Sequence, residues 1–383
     1  MVKIKIDAEL KIPLHQQIEN GIRELISEKR CQPGDFLFTE VGLSRECGIS
    51  RDSVRQGINR LVNNGLLERR RAKGVFLLSR EGGAARVERI VSFVTPDVRH
   101  SFYGSLVGGG LSGTRDCGYQ MMVFNSNYDG GNEAEILRKL LEMPPHPVVI
   151  CSNGTPECLE LIARLSRQGF QLVSAGCFFP GISCDTVTND NIAIGRDATN
   201  FLIGLGHRRI AHATLSNSFD TNASLRLAGY TQAMKAAGLQ PEHFVTLAAN
   251  ESWQTDSERR TAEWLRTKKG DPPTAIFAVN DTVCIGIMRA IIKLGYSVPG
   301  DISLLGCANL DLAQAFLDPL STIDQFSYDM GYRAVQLGIR RHEGELGTEP
   351  VHELHPHQLI ERMTTRRLEG SPVARVVPAT AEQ

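Results

Sequence analysis

The sequence predicts an α/β protein in two parts: a small winged helix-turn-helix head and a two-lobed body built on parallel sheets. Three observations carry this. Residues 1–80 hold three short amphipathic helical stretches and then a basic-tipped hairpin. From Arg89 onward, apolar strands alternate with helices in two successive sets, the pattern of parallel sheets covered on both faces. Between the two regimes lies a polar stretch with two glycines, Ser79–Glu88, which reads as a joint. The boundaries expected are a head at 1–80, a joint at 81–88, a body at 89–367 and a basic, then Pro/Ala/Val-rich tail at 368–383.

In the head, Pro13 opens a helix whose Ile18, Ile22, Leu25 and Ile26 share one face, and Pro33-Gly34-Asp35 turns the chain after it. Thr39 caps a short second helix carrying Leu43 and Cys47, which Gly48 closes in the left-handed conformation. The third helix starts at Ser50, whose hydroxyl can accept from first-turn amides, and seats Val54, Ile58 and Leu61 on the core. Its other face offers Arg51, Asp52, Ser53, Arg55, Gln56 and Asn59. Arg, Asn and Gln read base edges bidentately in the DNA major groove. An isolated helix of this kind is ordinarily a solvated face. Here its capped predecessor and the hairpin Leu66–Arg70 and Val75–Leu78, tipped by Arg71-Ala72-Lys73-Gly74, make it a recognition helix. Charge agrees: of 42 basic and 43 acidic residues, 15 and 10 fall in residues 1–80, a basic head on a mildly acidic body.

In the body, the first set of strands is Ile90–Thr95, 120–124, 147–151 and 171–173, with a helical stretch at Phe102–Asp116. The second set runs helix 192–205, strand 210–214, helix 224–237, strand 244–248, helix 255–266, strand 275–279, helix 281–294 and strand 302–305. Two such sets make two lobes, and a ligand sits outside the carboxyl ends of the strands. Phe102, Tyr103 and Trp253 are candidates to stack on an apolar ring face, or else core aromatics. Arg226 and Asn280 offer fans of hydrogen-bond groups, Asn125 and Gln325 lie at strand ends, and Asp281 reads equally as a ligand contact or as the cap of the helix it begins.

Other classes are disfavoured. There is no basic-then-apolar leader and no apolar run of about 18 residues, so a cytoplasmic protein is expected. The 9 cysteines are scattered without a Cys-x-x-Cys pair, which fits free thiols better than a disulfide framework or zinc. Gly108–Gly113 matches G-x-G-x-x-G but lies inside a helix about a dozen residues past its strand, the wrong place for a dinucleotide fingerprint. His352, His355 and His357 miss the metalloprotease spacing by one and Pro356 breaks a helix there, so a strand and turn are expected. No nucleophile elbow is present. Neither an enzyme, nor a cofactor, nor a metal is expected.

The run PLHQQIENGIREL, then PGDFLFTE, then ISRDSVRQGINRLVNNGLLERRRAKGVF resembles the DNA-binding domain of the GntR family of bacterial transcription regulators, over residues 12–78. That resemblance implies DNA contacts at Ser50, Arg51, Ser53, Arg55 and Gly74; the polar helix face and the basic wing add Gln56 and Lys73 as candidates. Val41 stands where some members present an Arg, and Gly42 weakens the second helix. The phrases PDVRHSFY, NSNYD, LGHRRIAH, LRLAGYTQAM, PPTAIFAVND, VPGDISLLG and LSTIDQ are similar to the sensor domain of the LacI/GalR repressors, a relative of periplasmic sugar-binding proteins. The pairing is that of arabinose-type repressors. It implies a periplasmic-binding-protein-like body, a homodimer on double-stranded operator DNA, and a small-molecule, carbohydrate-like effector in the interlobe cleft. The alternatives are a ligand-independent regulator with a degenerate pocket and a small-molecule-binding protein with a vestigial head. Two departures bear on the effector: Ala308 and Gly176 stand where sugar-binding members carry acidic residues. With Arg226 less neutralised, an acidic sugar or another anion becomes conceivable. The resemblance also places the Gly108–Gly113 helix where related sensors dimerise, so its glycines are expected to serve close approach between subunits.

Overall fold

The computed structural model describes Ile4, Ile6 and residues 13–28, 31–63, 65–70, 73–78, 89–152, 154–179, 181–215, 221–246, 253–268, 270–315 and 317–368. The joint expected at 81–88 and the tail from 369 lie outside the described residues. Leu368 still donates its amide to Leu205, so the body extends one residue past its expected end.

The head comprises α1 (Leu14–Glu28), β1 (Phe36–Phe38), α2 (Glu40–Cys47), α3 (Arg51–Asn63), β2 (Leu67–Arg70) and β3 (Gly74–Leu77). Ile18, Ile22, Leu43, Val54, Ile58 and Leu61 are wholly buried and form its core. The caps fall where expected: Thr39 accepts from Gly42, and Gly48 closes α2 at φ 68°. The short strand β1 is an addition to the expected elements; it turns the hairpin into a three-stranded sheet of order β1-β3-β2.

The first lobe contains β4 (Ile90–Thr95), α4 (Ser101–Asp116), β5 (Gln120–Asn125), α5 (Gly130–Leu141), β6 (Pro147–Ile150), α6 (Pro156–Arg167), β7 (Gln171–Ala175) and β8 (Asp185–Asn189). The second holds α7 (Asn191–Gly204), β9 (Ile210–Thr214), α8 (Thr221–Ala236), β10 (Glu242–Val245), α9 (Trp253–Thr267), β11 (Ala275–Ala278), α10 (Asp281–Lys293), β12 (Ser303–Leu305), α11 (Asp311–Ala315) and β13 (Thr322–Asp324). The chain then returns to the first lobe as α12 (Ser327–His342) and β14 (His352–His355), and ends in the second with β15 (Gln358–Ile360). The lobe sheets have orders β14-β8-β7-β6-β4-β5 and β10-β9-β11-β12, parallel throughout. Both faces of each are covered. Phe93 and Val173 pack under α4 and α12, whereas Val94 and Leu172 pack under α5 and α6. In the second lobe Ile276 and Leu304 face α9 and α10, while Phe277 and Leu305 face α7 and α8. Such two-sided burial is why the strands read as continuous apolar runs. His352–His355 is a strand, as its proline and spacing required.

The chain passes between the lobes three times, after β8, after β13 and after β14. Asn189 ties these passages together. Its side-chain amide donates to the carbonyls of Gln325 (3.3 Å), His355 (3.1 Å) and Pro356 (2.9 Å), while its oxygen accepts from the Gln325 amide at 3.1 Å.

The glycines of α4 correct one expectation. They pack within the chain, against α12, rather than being reserved for a partner subunit. A Cβ on Gly109 would collide with the Tyr328 carbonyl, one on Gly113 would come within 3.0 Å of the Tyr332 carbonyl, and one on Gly331 would strike that of Leu106. The same device brings α7 onto α8 through Gly195 and Gly229, and α9 onto α10 through Gly286. Gly109→Ala is therefore expected to destabilise the body by about 1–3 kcal/mol through overpacking. Gly108→Ala, whose Cβ would meet only the Tyr328 ring at 3.8 Å, should be neutral or stabilise by up to about 1 kcal/mol through helix propensity. Urea unfolding of the two variants checks the pair; equal effects would remove the α4–α12 crossing as the reason for Gly109.

Candidate nucleic-acid interface and interlobe cleft

At the head, Ser50 begins α3 as expected. Its hydroxyl oxygen accepts from the Ser53 amide at 3.1 Å and lies 2.9 Å from the Ser53 hydroxyl. With Val54, Ile58 and Leu61 turned inward, Arg51, Asp52 and Arg55 are exposed on the opposite side. Glu40, which no sequence pattern singles out, organises this face. Its carboxylate accepts from Arg55 Nε at 3.4 Å and from Arg69 Nε at 2.7 Å, linking the recognition helix to the wing. Gly74 sits at φ 108°, and a Cβ there would press within 2.8 Å of the Phe38 carbonyl, so β1 demands glycine at the wing. Lys73 is exposed beside it. Gln56 points elsewhere: its amide donates to the Gly344 carbonyl of the body at 3.3 Å, and nearby Arg60 pairs with Glu345 at 3.8 Å. Val41, at the position where the resemblance has some members present an Arg, is 36% exposed.

In the body, aromatic side chains from both lobes meet at the cleft. His100 lies 5.4 Å from Tyr103 and 5.6 Å from Trp253, ring centre to ring centre, and Tyr128 stands 6.1 Å from Tyr103 and 5.8 Å from Trp253. Phe102 packs edge-on to Tyr103. The imidazole of His100 also touches the second lobe through Nε2 and the Thr282 hydroxyl, 3.1 Å apart, and burial pushes its pKa down to about 4. A polar chain crosses deeper in. Arg226, 7% exposed, donates through Nε to Asn191 at 2.8 Å and through Nη1 to the Val279 carbonyl at 2.7 Å. Asn191 in turn donates to Asn222, whose amide donates to the Gly176 carbonyl of the first lobe. His100, Tyr128, Asn191, Asn222 and Thr282 are additions to the residues expected at the cleft. Asn191 carries a local signal, an Asp-Asn pair before an apolar helix; nothing in the sequence shows that Asn222 spans the lobes.

The remaining expected contacts are engaged in holding the fold. Asn125 accepts from the Val98 amide and donates to Asn127, and Gln325 belongs to the Asn189 tie. Asn280, not Asp281, caps α10, accepting from Val283 at 2.9 Å. Asp281 is wholly buried; its two oxygens accept from the Thr322 hydroxyl at 2.6 Å and the Leu310 amide at 2.8 Å. Gly306 lacks a side chain because one would collide with that carboxyl. Gly176 lies at φ 73° beside Phe102 and Met330, and Ala308 is buried at φ 121°.

Two family models match the chain: the gntR family of bacterial regulatory proteins over residues 14–77, and a periplasmic binding protein-like domain over residues 199–365. An arabinose metabolism transcriptional repressor of Geobacillus stearothermophilus is 26% identical over 94% of this chain and all of its own length. The transcriptional repressor PurR of Vibrio vulnificus is 27% identical over 73% of this chain and 82% of its own. A LacI-family regulatory protein from Corynebacterium glutamicum superposes with a TM-score of 0.60 at 26% identity, over 73% of this chain and the whole of that one. Among the described residues no helix is long and apolar enough to cross a membrane, and no cluster of metal-ligating side chains is found.

Burial raises the Asp281 carboxyl from its ordinary 3.8 to about 6, opposed by its bonds to Thr322 and the Leu310 and Cys307 backbone. The folded protein thus holds this proton more tightly than the unfolded chain does. Its stabilising contribution is full below about pH 4 and is lost as pH rises to about 6. Asp281→Asn preserves the shape and can still bond Leu310 and Thr322. Wild-type stability should therefore fall relative to this variant across that window, by roughly 1.4 kcal/mol for each tenfold difference in proton affinity between the folded and unfolded chain. Denaturant titrations from about pH 3.5 to about pH 7 span the window; parallel curves would show that the carboxyl ionises without penalty.

Proposed function

We propose that this chain, which joins a GntR-type DNA-binding domain to a periplasmic-binding-protein-like body, is a transcription repressor that binds operator DNA as a homodimer and responds to a small molecule between its lobes. The observation that carries the reading is the surface of α3. A Ser50-capped helix presents Arg51, Ser53 and Arg55 on one side, next to a wing carrying Lys73 and Gly74. An Arg on such a helix reads a guanine edge, while the wing lysine meets phosphate and carries no sequence information. The relatives' match along nearly the whole chain supports the same order of parts, and a dimer on a palindrome places its half-sites about one helical turn, or a multiple, apart. The cleft offers what a small polyol requires, apolar ring faces beside buried hydrogen-bond groups. Effector action follows if the ligand has different affinities for two lobe arrangements. The relatives that match are named as transcriptional repressors, which supports the reading of a binding protein.

Arg55→Ala is expected to cost about 1–3 kcal/mol on the operator and to relax its sequence preference, with little change on scrambled DNA. Lys73→Ala should weaken both DNAs alike and reduce the salt dependence by about one charge. Operator fragments selected from genomic DNA, titrated at several salt concentrations alongside scrambled versions, check both. Equal losses on both DNAs for Arg55→Ala would end its base-reading role. Sedimentation of the full chain with and without operator tests the dimer.

A further inference from the structure

We infer that the cleft takes a small organic anion of the sugar-acid type rather than a neutral sugar; this rests on the effector-binding reading above and specifies its ligand. The argument is one of charge and of spent acceptors. Neutral sugars present hydroxyls that both donate and accept, and a protein holds them strongly with ionised carboxylates that accept two such donors at once. Among the described residues, three carboxylates at this cleft already have both oxygens bonded, whereas Asp129 and Asp190, beside Tyr128 and Asn191, are exposed and accept through one oxygen each as helix caps. Asp97 accepts from the backbone and guanidinium of Arg99 at 2.9–3.0 Å. Asp281 is closed by Thr322 and Leu310. Asp324 accepts from the Phe326 amide at 2.7 Å and the Asn309 amide at 2.8 Å. Gly176 and Ala308 contribute no side-chain acceptor.

Arg226 is the reverse case. It is 7% exposed, and its partners are the uncharged oxygens of Asn191 and Val279. Among the described residues it has no carboxylate partner, and Nη2 makes no hydrogen bond. A guanidinium so deeply buried is ordinarily paired, because its desolvation is otherwise uncompensated. Asn191 and Val279 fix the plane of the fork, and a carboxylate arriving at its open edge would complete the ion pair in a site of low dielectric. Tyr103 and Trp253, brought to the cleft from opposite lobes, supply apolar faces for the carbon skeleton that carries the charge. The ligand that fits combines a carboxylate with a hydroxylated body about the size of a pentose or hexose.

The test uses the full-length protein and matched pairs that differ in charge: glucose with gluconate and glucuronate, galactose with galacturonate, arabinose with arabinonate, and ribose with ribose 5-phosphate. Calorimetric titration is expected to show at least one carboxylate binding about tenfold or more tighter than its neutral partner, with the advantage shrinking as salt is raised. Arg226→Gln should abolish that advantage, and the melting temperature of the unliganded variant, measured alongside, reads separately the loss of the bonds to Asn191 and Val279. Arg226→Lys, which keeps the charge but loses the fork, should retain part of the advantage and guards against a folding defect in the first variant. A neutral sugar that binds as tightly as its acid, an acid preference that survives Arg226→Gln, or binding confined to the phosphate would each overturn the sugar-acid assignment. So would a complete lack of binding. Operator retention, measured on the same preparations, is judged separately and decides the regulatory reading.

Discussion

One buried amide constrains how this molecule can move. Asn189 donates to carbonyls on the other two interlobe passages and accepts from the side chain of one of them. Three passages tied at one residue cannot slide independently, so relative motion of the lobes is a rotation about that knot. The Asn189 and Gln325 side chains are both buried, where an amide left unpaired costs about 1–3 kcal/mol per group. Closure and opening must therefore occur with the knot intact. This also explains why Gln325, placed at a strand end that suggests a ligand contact, is spent on the hinge.

The bodies that rotate are made stiff by another device. In each lobe, helices approach closely enough that a single methyl group would collide with a neighbouring backbone, at Gly109 and Gly331, at Gly195 and Gly229, and at Gly286. Glycine within a helix costs about 1 kcal/mol relative to alanine, a cost that the dispersion contacts of close backbones offset. Because the two faces of both sheets are buried under such pairs, each lobe transmits a displacement at the cleft as a rigid unit.

Much of the fold is legible in the sequence because it is periodic. The strands read as apolar runs, the head's helices carry caps at Thr39, Gly48 and Ser50, and His352–His355 declares itself by its proline. Helix α12 is harder to see, although Met330, Ala334, Leu337 and Arg341 recur at helical spacing; the strand-like phrase before it masks its start. β1 is three residues long and acquires meaning only by pairing with the wing. The DNA face is legible residue by residue, except that Glu40, fifteen positions away, sets the orientation of Arg55. The cleft is less so. Which of Arg226, Asn280, Asp281 and Gln325 faces a ligand depends on whether a neighbouring loop has already taken its hydrogen bonds, and that is decided by tertiary contact. Asp281 is a case in point, since its carboxyl is consumed by Leu310 and Thr322, far along the chain.

Once the lobes are taken as rigid and the hinge as a knot, the energy that separates open from closed must come from the few contacts that bridge the cleft. Among the described residues these include the rings of His100 and Tyr128 against Trp253, the His100–Thr282 bond and the bond from Asn222 to Gly176. Aromatic pairs are worth about 0.5–1.5 kcal/mol each and neutral hydrogen bonds about the same net. The balance is then only a few kcal/mol, within reach of a ligand that binds one arrangement more tightly by a factor of about a hundred or a thousand. His100 adds a pH dependence to that balance. Because burial holds its pKa at about 4, the contacts it makes while neutral are fully available above about pH 6.5 and are lost as pH falls toward 4. At neutral pH the imidazole does not bias the cleft by charge. The cation of the cleft that lacks a carboxylate among the described residues is Arg226, attached to the second lobe through Val279 and linked through Asn191 and Asn222 to the first. An anion bound there would join the chain of hydrogen bonds that already crosses the cleft, and so would favour the arrangement in which that chain is continuous.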